Sequence, residues 1–88
     1  MISGKTTTGF EYEIAPDALN NYELLENVSE MESNPLVIAE IVKQLLGKEQ
    51  TKKLKEHVRN ENGIVPMEKM TDEIVDIFKK SGKETKNS

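Results

Sequence analysis

The sequence predicts a mainly α (α+β) fold: about four helices forming a small bundle, with a short N-terminal β-hairpin packed on it. Three observations lead there. Apolar residues recur at three- and four-residue spacing from Ala18 to Phe78, punctuated by Pro35, Gly47, Gly63 and Pro66. Residues 10–14, Phe-Glu-Tyr-Glu-Ile, instead alternate apolar with acidic, the period of a half-buried strand. The third is size. A chain of 88 residues, 35% hydrophobic and 5% aromatic with no Trp, makes one domain with an aliphatic core. Its stability should be only ~0.1 kcal/mol per residue.

Strands are expected at 2–8 and 10–14, with Gly9 supplying the positive φ of a tight turn. A lone hairpin is marginal in water, so Phe10, Tyr12 and Ile14 must pack onto helices. Pro16-Asp17 opens the first helix, with Asp17 as candidate N-cap. Ala18, Tyr22, Leu25 and Val28 form its predicted stripe, flanked by Leu24 and Met31, with Glu23, Glu26 and Glu30 away from it. Asn34-Pro35 caps and starts the second helix, which runs to Leu46 and stops at Gly47. That helix is apolar around most of its circumference, so it should be the central one. The third, Lys48 to about Asn60, has Leu54 and Val58 as anchors and lies on the surface. Asn60 to Gly63 is a stop, Ile64-Val65 a link, and Pro66 begins the last helix. There Met67, Met70, Ile74, Ile77 and Phe78 align, and Gly82 is the expected end. The domain is thus 1–82, with the hairpin at about 2–14. Residues 83–88 are expected to be a disordered polar tail.

Charge is unevenly spread. Thr6 to Val42 holds eight acidic residues and no Lys or Arg. From Lys43 onward eleven bases face eight acids, leaving +3, and Lys5 completes the net charge of −4. Such polarity either closes one half on the other or offers an acidic face to a basic partner. The first alternative pairs Glu23, Glu26 and Glu30 with Lys52, Lys55 and Arg59. The second makes the same residues a partner-binding set.

Little else carries chemistry. Without cysteine there is no disulfide, thiolate nucleophile or Cys-based zinc site. The N-terminus shows no export signal, and Pro35–Ala39 is too short an apolar run to span a bilayer. His57, the sole histidine, has no second His for a metal and reads as a surface residue beside Leu54 and Val58. Glu11/Glu13 and Asp72/Asp76 read as solvated carboxylates. Gly4-Lys5-Thr6 lacks the first glycine and following helix of a phosphate loop. No serine has the Asp-Ser-Leu setting of an acyl carrier protein. The Lys48–Arg59 helix suggests a nucleic-acid-binding regulator, against which stand the acidic net charge and the interspersed Glu49, Glu56 and Glu61. No catalytic residue, cofactor or metal is predicted.

Four segments together carry a resemblance: Thr8-Gly9-Phe10-Glu11-Tyr12-Glu13-Ile14, Asn20-Asn21-Tyr22-Glu23-Leu24-Leu25-Glu26, Leu45-Leu46-Gly47-Lys48-Glu49-Gln50 and Gly63-Ile64-Val65-Pro66. With the final amphipathic helix, the chain resembles small tail assembly chaperones of long-tailed phages and Gram-positive prophages over nearly its whole length. The resemblance implies a non-enzymatic protein of the bacterial host cytoplasm, absent from finished virions. Its implied partners are the tape-measure and tail-tube proteins; self-association is left open, the short apolar runs leave no membrane partner, and nucleic acid remains only the alternative given above. It also implies a longer form made by ribosomal frameshift near the C-terminus. Thr85-Lys86-Asn87 can be encoded as ACA-AAA-AAC, a slippery run, although Lys and Asn are equally at home in any polar tail.

Overall fold

A computed structural model describes residues 2–31 and 33–86, with 82–86 as backbone alone. Strands β1 (Ile2–Lys5) and β2 (Glu11–Ile14) pair antiparallel, Ile2 opposite Ile14 and Lys5 opposite Glu11. Helices α1 (Pro16–Leu19), α2 (Tyr22–Glu30), α3 (Ile38–Val58) and α4 (Met67–Lys86) follow, with a 3-10 turn at Pro35–Val37. The fold is therefore mainly α with a hairpin at its N-terminal end, as the sequence predicts.

The first strand is shorter than the expected 2–8. The Thr6 carbonyl accepts from Gly9 N–H at 2.9 Å and Thr6 N–H donates to the Phe10 carbonyl at 2.8 Å. Gly9 has φ +95°. This is a three-residue hairpin loop closed by a glycine bulge, so the threonines form the turn and leave the ladder. The alternation over residues 10–14 holds: Phe10, Tyr12 and Ile14 are buried, Glu11 and Glu13 exposed.

The single first helix expected from Pro16 is two. Ala15, in extended conformation, precedes Pro16, and Asp17 lies in the first turn without capping it. The chain leaves the helix at Asn20 and restarts where the Asn21 side chain accepts from Glu23 N–H at 3.0 Å. Asparagine competes with the helix backbone in mid-helix and favours caps, so the Asn pair breaks the run. The predicted stripe assumed no break and is out of phase. Leu24 is the buried residue of α2, with Asn27, Val28 and Met31 half-buried one and two turns on. Tyr22 and Leu25 face solvent at 71% and 62% exposure.

Asn34 does cap: its side chain accepts from Leu36 N–H at 3.3 Å, with Pro35 opening the 3-10 turn. In α3, residues 38–46 bury Ile38, Ile41, Val42, Leu45 and Leu46, and α3 contacts α1, α2, α4 and β2. It is the central helix, as the sequence predicts, although Ala39 on it and Leu36 in the turn before it remain exposed. Gly47 (φ 80°, ψ 171°) breaks α3 without an intervening loop, and 48–58 return Thr51, Leu54 and Val58 to the same core. Gln50, just past the break, accepts from Glu13 N–H at 2.7 Å and donates to its carbonyl, pairing the outer edge of β2 as a strand would. Asn60 closes the next turn by accepting from Asn62 and Ile64 N–H.

In α4, Met70, Ile74 and Ile77 are buried and Phe78 half-buried, whereas Met67 is 54% exposed. The helix stop placed at Gly82 is corrected: backbone helix continues to Lys86. One glycine costs a helix only about 1 kcal/mol relative to Ala, too little to end it unaided. Of the expected tail 83–88, Asn87 and Ser88 lie outside the described residues.

Candidate interaction surfaces

The hairpin turn grips α4 through polar contacts. Thr6 Oγ1 donates to Glu73 Oε1 at 2.9 Å, and Thr8 Oγ1 donates to Glu73 Oε2 at 2.7 Å. Glu73 and Thr6 are each 3% exposed. Because the Thr8 proton serves Glu73, His57 Nε2, 3.0 Å from Thr8 Oγ1, carries the hydrogen and donates into the same oxygen. The Phe10 ring lies 5.5 Å from the imidazole. One turn along α4, Asp76 accepts from Thr7 N–H at 2.7 Å and pairs with Lys80 at 3.4 Å, while Lys80 also reaches the Lys5 carbonyl. The Thr7 backbone N–H, aided by the Thr7 hydroxyl and Lys80, holds the Asp76 carboxyl below its ordinary range against a smaller effect of desolvation. This network fastens the turn to the last helix. Among the described residues no cluster of three or more His, Asp or Glu has the arrangement to hold a metal ion.

The charged set behaves differently. Among the described residues the ion pairs are Arg59–Glu56 at 2.8 Å and Lys80–Asp76, so the expected closure of Glu23, Glu26 and Glu30 onto Lys52, Lys55 and Arg59 is not formed. The reason lies in the packing. α2 sits against the first half of α3, where Asn27 donates to Gln44 at 2.8 Å, whereas the bases lie beyond the Gly47 break. Arg59 is engaged locally, its Nη1 donating to the Gly63 carbonyl at 2.7 Å. Lys52 and Lys55 are exposed, as are Glu23, Glu26 and Glu30.

On α2 these acids share the outward side with Tyr22 and Leu25, giving an exposed ridge that is apolar and acidic at once. Comparison with protein-family models, with curated proteins and with solved structures finds no match. Sequence reasoning named the acids of this ridge but placed Tyr22 and Leu25 in the core. The same pattern reads Asp76 as a solvated acid and gives no sign that Glu73 is buried. The available signal was Thr6-Thr7-Thr8 at a turn, hydroxyls with no ladder to join, and two acids three residues apart on one helix.

Proposed function

We propose that this chain is a non-enzymatic phage or prophage tail assembly chaperone, an adaptor that holds tape-measure and tail-tube proteins while a tail is built in the host cytoplasm. The observation that carries this reading is the α2 ridge: Glu23, Glu26 and Glu30 stand exposed, with no ion pair among the described residues, beside Tyr22 and Leu25. Exposed apolar side chains rimmed by one sign of charge suit a protein partner that is apolar and basic. Each large side chain fully buried there contributes about 1.5–3 kcal/mol, and the acids set approach and register. The pattern of the four sequence segments supplies the class of partner. The alternative, a nucleic-acid-binding regulator using Lys48–Arg59, has less behind it, since Arg59 is engaged with Glu56 and Gly63.

Co-expression with the tape-measure and tail-tube proteins encoded in the same genome tests the proposal. At least one should co-purify with a tagged chain. Recovery of neither contradicts it.

A further inference from the structure

A second exposed surface lies where both halves of α3 meet the start of α4. Ile38, Val42, Val65, Met67 and Met70 floor a groove of about 320 Å³, with Lys43 and Lys55 at its rim. An adjoining hollow is lined by Lys43, Lys48, Thr51, Lys52 and Lys55. No acidic residue lines either, and none of these lysines is in a described ion pair. The result is an apolar slot beside four positive charges, the chemistry that receives an acidic amphipathic helix.

We propose that this groove receives α2 of a second copy of the same chain. The ridge has matching parts: Tyr22 and Leu25, three residues apart, for the apolar floor, and Glu23, Glu26 and Glu30 for the lysines. Within one chain the contact cannot form, because α2 already packs its opposite face, Leu24 and Val28, toward α3. Between copies, a single contact covers two unpartnered apolar surfaces and brings together two charge clusters of opposite sign. A tail protein that takes the α2 ridge displaces the neighbouring copy. The contact goes beyond the proposed function and stands without it, since it involves this chain alone.

Sedimentation of the full chain from about 1 µM to 1 mM tests it. Wild-type mass should rise with concentration, and less so at high salt. Lys52→Glu/Lys55→Glu and Glu23→Lys/Glu26→Lys should each weaken association at least roughly tenfold. The second variant is decisive: two Glu→Lys changes add +4 to the net charge of −4, so generic repulsion vanishes while the specific contact is lost. Combining all four changes in one chain should restore self-association. All four positions are exposed, and circular dichroism verifies that each variant is folded. A wild type that stays monomeric throughout, or reversed variants that associate as tightly as wild type, overturns the proposal. So does a monomeric chain whose groove captures an acidic helix from another protein.

Discussion

Replacing Thr6 by valine keeps the β-branched shape and removes one hydroxyl from beneath Glu73. That hydroxyl donates to Glu73 Oε1 at 2.9 Å and accepts from Phe10 N–H at 3.0 Å. A hydrogen bond to a charged group contributes about 1.5–3 kcal/mol and a neutral one about 0.5–1.5. Both Thr6 and Glu73 are buried, so water cannot replace the lost partner. The expected cost of Thr6→Val is about 2–4 kcal/mol, against a total stability on the order of 4–13 kcal/mol for a chain of this size. Urea titration followed by far-UV circular dichroism reads it as a lower midpoint at unchanged slope. In a Glu73→Leu background the carboxylate is gone, so Thr6→Val should cost at least about 1 kcal/mol less. A Thr6→Val effect below about 0.5 kcal/mol, or an equal cost in both backgrounds, would refute the latch.

Gly47→Ala should destabilise by about 1–3 kcal/mol, because φ 80° and ψ 171° is a region open essentially to glycine alone. Nothing lies within 4 Å of the added methyl, so the cost is purely backbone, and thermal unfolding with an unchanged midpoint would contradict it. Asp76 has its folded pKa below the ordinary 3.8, so the unfolded chain binds more protons between the two values. Its contribution is present above about pH 3.8 and is lost as pH falls through the folded value; Asp76→Asn should flatten stability against pH in that window. Asn21→Ala, which removes the α2 cap, should cost about 0.5–2 kcal/mol in the same denaturation assay.

Much of the fold is legible from local chemistry. The period-2 run Phe10–Ile14, the Gly9 turn, the Asn34-Pro35 entry and the break at Gly47 each follow from one or two residues whose backbone preferences leave few alternatives. The segment 45–50 has structural jobs here: Gly47 turns α3, and Gln50 pairs the edge of β2. What the sequence hides is phase and partnership. The Asn20-Asn21 break shifts α2, so Tyr22 and Leu25 move from expected core to surface while Leu24 takes their place. Periodicity alone cannot register a break whose residues still fit a helix. Nor can composition tell that Glu73 is buried, because its partners Thr6 and Thr8 lie 67 and 65 residues away. The charge asymmetry was plain, yet only packing decides that α2 sits on the half of α3 without the Lys52 and Lys55 charges.

Titration calorimetry of the proposed partners, the tape-measure and tail-tube proteins, against wild type and Glu23→Lys/Glu26→Lys tests the α2 ridge most directly. These acids are exposed and without described ion pairs, so the double variant should keep its stability within about 0.5 kcal/mol. Its affinity should fall at least roughly tenfold, and further when Tyr22 and Leu25 are also replaced by serine. Equal affinity of the folded variant and wild type would contradict a docking role for this helix.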